Sequence, residues 1–201
     1  AIFSYFNAAG NVPSFRKSIR QGRTLRYGEN PHQQGTYYGD LDGLFEQLNG
    51  KELSYNNLVD VDAAVQLVKE FEGETAFVII KHTNACGVAT ASTAREAYVK
   101  AYQADTISAF GGVLACNQKI DLATAEEMNK LFFEILIAPG FESEALALLK
   151  SKKNRILLSQ KQDLKERKQF KSLLNGVIEQ DYDLKTDSRS DLRVVTKRAP
   201  T

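Results

Sequence analysis

The sequence predicts an α/β fold in which helices cover both faces of one sheet. The first observation is a continuous apolar run, Thr75–Ile80, of the kind that forms a strand buried on both faces. The second is the alternation of such runs with helix-like segments between residues 60 and 158. The third is an ordinary globular composition, with 201 residues, 43% hydrophobic and 25% charged.

Each predicted element has a local signal. Asp60 is a candidate N-cap for a helix that reaches about Glu72, where Gly73 can end it. Further elements follow the first strand in order: a helix over Ser92–Gln103, a strand over Gly111–Cys116, a helix over Asp121–Leu131, a strand over Glu134–Ala138, a helix over Ser143–Lys150 and a strand over Arg155–Leu158.

The two ends of the chain carry weaker signals. Residues 1–24 resemble a connector, because a short apolar start is followed by Gly10-Asn11-Val12-Pro13. Past Ser159 a polar, helix-like stretch leads to Asn175-Gly176, a pair typical of a hairpin turn. A last strand is predicted over Leu192–Thr196.

Composition and charge exclude several classes of protein. No apolar run approaches the roughly 20 residues of a membrane helix, and the first residues lack the basic leader of a secretory signal. The two cysteines, Cys86 and Cys116, form no disulfide framework, which favours a cytosolic location. The stretch from Lys150 onward has 14 basic and 7 acidic residues. A nucleic-acid surface is one explanation, but the signs are mixed and aromatics are few, which favours an ordinary solvated face.

The most informative pair is Lys81-His82, which directly follows the first buried strand. Ligands of open α/β sheets bind beyond strand ends, and Cys116-Asn117 and Ala138-Pro139-Gly140 also follow predicted strands. A lysine beside a histidine can take up a proton and stabilise a developing anion, as acyl or formyl transfer requires. Because adjacent strand residues point to opposite faces, the chain must bend there for both to reach one site. The structural alternative is a histidine at a strand edge beside a solvated lysine.

Other catalytic chemistries have less support. Cys86 lies four residues from His82, but nucleophilic cysteines usually meet their histidine through the fold, and most cysteines are small buried residues. With two histidines and no Cys-x-x-Cys, a zinc site and zinc-deaminase chemistry are not predicted. Neither Gly-x-x-x-x-Gly-Lys nor Gly-x-Gly-x-x-Gly occurs, which argues against a nucleoside triphosphatase and a Rossmann domain.

Three further segments are candidate binding elements. Arg26-Tyr27-Gly28 offers a forked donor beside a glycine that lets backbone amides approach a phosphate. Phe110-Gly111-Gly112 allows a close backbone approach to a ligand, or simply gives the following strand room to start. Lys51–Asn57 is more polar than a turn requires, which is compatible with a binding loop.

Taken together, five segments closely resemble the AICAR transformylase domain of the bifunctional purine biosynthesis family, which combines AICAR formyltransferase and IMP cyclohydrolase. The resemblance covers residues 1–201, and its motifs are highly specific. They occur in the family's order: Leu25–Gln33, Lys51–Asn57, Lys81–Gly87, Ser108–Gly112 and Ile137–Gly140.

The resemblance implies a fold and a reaction. The fold would be a cytidine-deaminase-like three-layer α/β/α sheet without zinc. The reaction would transfer the formyl group of 10-formyltetrahydrofolate to the 5-amino group of 5-aminoimidazole-4-carboxamide ribonucleotide (AICAR), with no metal required. The alternative is a non-catalytic nucleotide-binding module.

The resemblance also implies roles for single residues. His82 would help to deprotonate the amine, and Lys81 would stabilise the transition state. The remaining positions would contact the substrate nucleotide, with Asn84 and Asn57 in supporting places: Arg26, Tyr27, Gly111, Glu134 and Asn84.

The same resemblance sets expectations for the whole protein. Residues 1–24 would be a linker and the end of a missing cyclohydrolase domain, and residues 25–201 the first subdomain of the transformylase domain. The folate contacts are expected outside this chain, and the active protein would be a cytoplasmic homodimer without nucleic-acid or membrane partners. The isolated chain is therefore expected to turn over little substrate.

Overall fold

The structure, a computed structural model, describes residues 15–163, 168–185 and 189–198. The chain divides into two units, one formed by Ser18–Asp163 and the other by Ala1–Lys17 with Leu164–Thr201. The larger unit contains the predicted sheet and every candidate site residue. The predicted boundary between residues 24 and 25 stays a prediction.

The larger unit has eight strands and five helices among its described residues. Two short strands, β1 (Gly22–Thr24) and β2 (Thr36–Tyr38), pair with each other. The other elements follow in chain order: α1 (Leu41–Leu44), β3 (Phe45–Asn49), α2 (Tyr55–Lys69), β4 (Thr75–Lys81), β5 (Asn84–Ala91), α3 (Ala94–Ala104), β6 (Val113–Cys116), α4 (Leu122–Met128), β7 (Ile135–Ala138), α5 (Ser143–Lys150) and β8 (Ile156–Gln160).

Six strands form one mixed sheet in the order β3-β8-β7-β6-β4-β5. The central strands β6, β7 and β8 are parallel, whereas β4 runs antiparallel to both of its neighbours. Strands β6 and β7 are buried along their whole length, as their continuous apolar sequences predict. The predicted α/β class is confirmed.

Helices cover both faces of this sheet. Alternate strand residues such as Phe77 and Ile79 belong to a core cluster with the buried residues of α3, α4 and α5. The intervening residues Val78 and Ile80 are also buried, and they face the opposite side of the pleat, where α2 packs. The fold therefore has three layers, with α2 on one face of the sheet and α3, α4 and α5 on the other.

Strand direction corrects the expected arrangement of the strand ends. Because β4 is antiparallel to β6, the carboxyl end of β4 lies beside the amino end of β6, with Ile80 opposite Val113. The carboxyl ends of β6 and β7, at Cys116 and Ala138, lie at the opposite end of the strands, beside the amino end of β4 in the case of β6. Cys116-Asn117 and Ala138-Pro139-Gly140 are therefore remote from Lys81, and the alternation of elements could not reveal this reversal.

Strand β5 is absent from the prediction. Residues 83–87 have no strand signal, and no Asn-Gly or Asp-Gly pair marks the turn that precedes them. In the structure β4 and β5 form a hairpin whose turn residues are His82 and Thr83. Strand β3 and the β1–β2 pair are likewise missed, because they are short and largely polar.

Helix α2 begins six residues before its predicted start. Ser54 is its N-cap, since its hydroxyl accepts from the Asn57 amide at 3.3 Å and the Asn57 side chain accepts from the Ser54 amide at 3.1 Å. This capping box satisfies two otherwise unpaired amides, so Asp60 is a residue of the helix instead of its cap. The helix ends at Lys69, before Glu72.

The smaller unit contains a hairpin of β9 (Lys168–Leu173) and β10 (Gly176–Asp181). The hairpin turn predicted at Asn175-Gly176 is confirmed, whereas the helix-like reading past Ser159 is wrong for Lys168–Leu173. Residues 164–167 of that stretch and residues 1–14 of the predicted connector lie outside the described residues. The strand predicted over Leu192–Thr196 is wrong too, because this apolar segment is irregular and exposed and pairs with no strand of the described chain.

Candidate active site

A small polar cavity of about 230 Å³ opens where the carboxyl end of β4 meets the amino ends of β6 and β7. The strand ends, α2 and the loop before β2 all contribute to it. Its lining residues are Arg26, Tyr27, Lys51, Ser54, Asn56, Asn57, Asp60, Lys81, His82, Gly111, Val113 and Glu134. The structure therefore brings together six of the seven site residues predicted from the sequence.

The hairpin turn after β4 supplies the bend that the Lys81-His82 pair requires. His82 has φ 50° and Thr83 has φ 63°, so both turn residues are left-handed without being glycine. Such conformations cost about 1–3 kcal/mol each and persist where surrounding contacts hold them. Here the Thr83 hydroxyl donates to the His82 carbonyl at 2.6 Å, and the Asn84 Nδ2 donates to the same oxygen at 2.9 Å.

The Lys81 ammonium is fixed at the amino end of β6. Its Nζ donates to the carbonyl of Phe110 at 2.8 Å and to that of Gly111 at 3.3 Å. Gly111 has φ +69°, and a Cβ placed there would lie 3.1 Å from Lys81 Nζ. Its own amide donates to the Phe132 carbonyl at 2.8 Å. Glycine at this position therefore allows both the backbone conformation and the seat of the ammonium.

A turn presents Arg26 and Tyr27 at the cavity. The Gly28 amide donates to the Gln33 carbonyl at 2.7 Å and closes the turn, and a Cβ on Gly28 would approach that of Gln33 to 2.9 Å. Arg26 Nη2 donates to the Tyr27 hydroxyl at 2.8 Å, and its guanidinium lies 4.7 Å from the centre of the Tyr27 ring. The exposed guanidinium is thus held in place while its other donors are available to an anion.

Glu134 occupies the wall formed by β7 and α2. Asn57 Nδ2 donates to its Oε2 at 3.3 Å, and Lys51 Nζ lies 3.7 Å from the same oxygen. Asn57 is buried and already fixed by the capping box with Ser54. The carboxylate therefore has defined partners and an orientation toward the cavity, where it can accept from hydroxyl or amide groups of a ligand.

Two predicted candidates do not line the cavity. Asn84 contacts the turn from outside, where it supports the His82 carbonyl. Cys86 lies further along β5 and packs against the core cluster. Burial, followed by the negative charge of Asp105, raises the pKa of the Cys86 thiol, which disfavours the reactive thiolate. Both its position and this shift argue against the alternative of a cysteine nucleophile.

Sequence reasoning missed some residues of the cavity. Lys51, Ser54 and Asn56 belong to the polar segment that was a candidate binding loop, so composition gave a partial signal. Asp60 was expected only as a helix cap. Its carboxylate instead accepts from the Thr83 amide at 2.7 Å, a contact between residues 23 positions apart that no local pattern could indicate.

A second cavity, of about 470 Å³, adjoins the first and shares Lys51 and Glu134 with it. Arg155 is one of its lining residues and is buried, with its guanidinium 4.1 Å from the centre of the Phe133 ring. Arg155 Nη1 donates to Asn129 Oδ1 at 3.0 Å. Burial lowers the pKa of Arg155. Through these contacts Arg155 packs against Phe133 and Asn129 next to the candidate site.

The described residues contain neither a cluster of potential metal ligands nor a helix that could span a membrane. Within residues 15–163, 168–185 and 189–198, there is no group of three or more His, Cys, Asp or Glu side chains that could hold a metal ion. No helix in these same ranges is long and apolar enough to cross a membrane.

A mixed α/β sheet brings an imidazole, an ammonium and a guanidinium to one polar cleft, which places the chain in the class of α/β proteins whose cleft is suited to a small anionic ligand. Comparison with known proteins identifies a family within this class. The family model described as AICARFT/IMPCHase bienzyme matches residues 1–201. The chain belongs to this family.

The sequences of several curated relatives align with the whole length of this chain. The chain is 53% identical over 201 residues to the bifunctional purine biosynthesis protein PurH of Bacteroides thetaiotaomicron, covering 100% of this chain and 39% of that protein. It is 49% identical over 211 residues to PurH of Chlorobium phaeobacteroides strain BS1, covering 100% of this chain and 40% of that protein. PurH of Chlorobium luteolum is 52% identical over 216 residues, covering 100% of this chain and 41% of that protein. The chain thus spans about two fifths of the length of these relatives.

Proposed function

We propose that this chain forms the ribonucleotide side of an active site that transfers a formyl group from 10-formyltetrahydrofolate to AICAR. The observation that carries the proposal is the meeting of Lys81 and His82 with Arg26 and Tyr27 in one cavity. A base, a fixed cation and an anion-binding fork in a small cleft match the needs of acyl transfer to an anionic substrate. Membership of the bienzyme family supports the choice of reaction.

The nucleotide's position follows from the charges of the cavity. Arg26 and Tyr27 present donors to the phosphate at one side. Glu134 and Asn57 offer an acceptor and a donor to the polar groups of the ribose and the carboxamide at the other. Gly111, without a side chain, leaves room for the Lys81 ammonium at the edge of this ligand site. This placement directs the 5-amino group toward the turn that carries His82.

The proposed reaction forms one C–N bond and breaks another. The 5-amino nitrogen attacks the formyl carbon, and His82 takes up the proton that this nitrogen releases. The carbonyl oxygen becomes an oxyanion, which the ammonium of Lys81 stabilises, since that group is held at 2.8 Å by the Phe110 carbonyl. Collapse breaks the bond to N10 of the folate, which receives the proton that His82 took up and leaves as tetrahydrofolate.

Further parts of the proposal concern the whole protein. We propose a cytidine-deaminase-like sheet, supported by its three layers, with catalysis by side chains without zinc. We also propose a cytoplasmic homodimer. Phe110 and Phe132 support a covering subunit, because these rings contact each other in a tilted arrangement, with centroids 5.1 Å apart, and are 61% and 55% exposed. Folate contacts are proposed to come from outside this chain.

The decisive experiment replaces one histidine at a time in a full-length family member that carries this segment. His82→Ala is expected to lower turnover by about 100-fold or more, with nucleotide affinity within about tenfold, or 1.4 kcal/mol. His32→Ala is the matched control, since His32 is exposed and does not line the cavity. Unchanged turnover in His82→Ala would refute the catalytic role and leave a nucleotide-binding module as the alternative.

A further inference from the structure

A single side chain from another element holds the turn that carries His82. The Thr83 amide donates to Asp60 Oδ1 at 2.7 Å, and Asp60 lies on α2, a different element from the hairpin. The other hydrogen bonds of the turn, to the His82 carbonyl, come from Thr83 and Asn84 inside the hairpin itself. Within the described part of the chain, Asp60 is therefore the link between the turn and the helix layer.

We propose that Asp60 is a positioning residue that holds the His82 imidazole at the cavity. The inference rests on the proposed function, and it extends it to a residue with no role in the resemblance. Helix α2 is a firm support, because its N-terminus is capped by Ser54 and its Val61, Ala64 and Val65 side chains are buried. The Asp60 side chain supplies an oxygen acceptor to the Thr83 amide, and an asparagine oxygen at the same place would accept the same bond.

The backbone conformation explains why such a support is needed. His82 and Thr83 both hold left-handed φ values, at 50° and 63°, which residues with a Cβ adopt reluctantly. Without the bond to Asp60, the turn can relax toward a conformation with negative φ. The imidazole moves with the backbone, and a displacement of about 1 Å can cost about 100-fold in rate.

The test compares four variants of a full-length family member that carries this segment. Asp60→Ala removes the acceptor and is expected to lower kcat at least tenfold with KM for the nucleotide within threefold. Asp60→Asn keeps an oxygen acceptor at the same place and is expected to retain most of kcat. Asp62→Ala is the matched control on the same helix, where the exposed carboxylate accepts from Gln66 at 2.7 Å, and it is expected to change neither constant. Thr83→Gly, combined with Asp60→Ala, is expected to restore part of kcat because glycine adopts positive φ without a steric cost.

A second readout does not depend on activity. In the 201-residue chain labelled with ¹⁵N, Asp60→Ala is expected to shift the Thr83 amide proton resonance upfield, and Asp62→Ala to leave it in place. An unmoved Thr83 resonance, or full kcat in Asp60→Ala, would overturn the positioning role. Equal damage in Asp60→Asn and Asp60→Ala would also overturn it, because the charge and not the acceptor would then matter. A wild-type enzyme without formyl transfer would instead refute the proposed function.

Discussion

At the scale of single residues, the site depends on backbone conformations that most side chains avoid. His82, Thr83 and Gly111 all have φ between 50° and 69°, and they lie on two neighbouring strand ends. The first two carry the proposed base into the cavity, and the third makes room for the ammonium of Lys81. Strain of this kind is concentrated where function requires it and is compensated by the surrounding contacts.

Gly111→Ala is expected to disturb the Lys81 ammonium. The new Cβ would lie 3.1 Å from Nζ, in a backbone with φ +69° that costs alanine about 1 kcal/mol. Turnover in the full-length enzyme should fall about tenfold, and calorimetry should show weaker nucleotide binding. Gly140→Ala is the control, since the nearest atom to its Cβ would be Lys119 Cγ at 3.8 Å. Equal activity in the two variants would show that Gly111 has no part in seating Lys81.

At the scale of elements, the sequence predicts the buried strands β6 and β7 and the helix α5 well and the β4–β5 hairpin poorly. Helix α5 has the predicted bounds, Ser143–Lys150, and β6 and β7 lie within their predicted ranges, because apolar periodicity is a local signal. Strand β5 is missed because the turn of His82 and Thr83 depends on the bond to Asp60, which is distant in sequence. The antiparallel direction of β4 is a property of that hairpin and is missed with it.

Only part of the candidate site could be predicted from local sequence signals. Lys81 and His82 were found because they follow an apolar strand, and Arg26 because it stands in a glycine-containing turn. Their meeting in one cavity, with Glu134 from the start of β7, depends on the order of strands in the sheet. Neither spacing nor composition contains that order, and only the resemblance to a family grouped these residues into one expected site.

The packing of α3 on β5 gives a prediction of stability. Gly87 lies under this helix, and a Cβ there would be 1.9 Å from the carbonyl oxygen of Ala101. Gly87→Ala therefore forces the helix away from the hairpin and is expected to cost about 2 kcal/mol or more. Urea unfolding of the 201-residue chain, followed by circular dichroism, measures the loss. A midpoint equal to that of Gly140→Ala would mean that α3 does not pack as closely as described.

At the scale of the whole molecule, one compact unit contains the complete cavity. Every lining residue lies within Ser18–Asp163, from the turn of Arg26 to the start of β7 at Glu134. Three parts of the structure contribute, since α2, the mixed sheet and the loop before β2 each provide lining residues. The nucleotide side of the proposed site is thus built by this segment, although the chain spans 39% of its Bacteroides thetaiotaomicron relative.

The most direct measurement is a calorimetric titration of the 201-residue chain with AICAR, beside the Arg26→Ala, Lys81→Ala double variant. Saturable binding by the wild-type chain that weakens at least tenfold in the variant, a loss of about 1.4 kcal/mol, is the predicted result. It would show that the cavity binds the nucleotide through these two cations. Identical titrations of the two proteins, with or without heat of binding, would contradict the account.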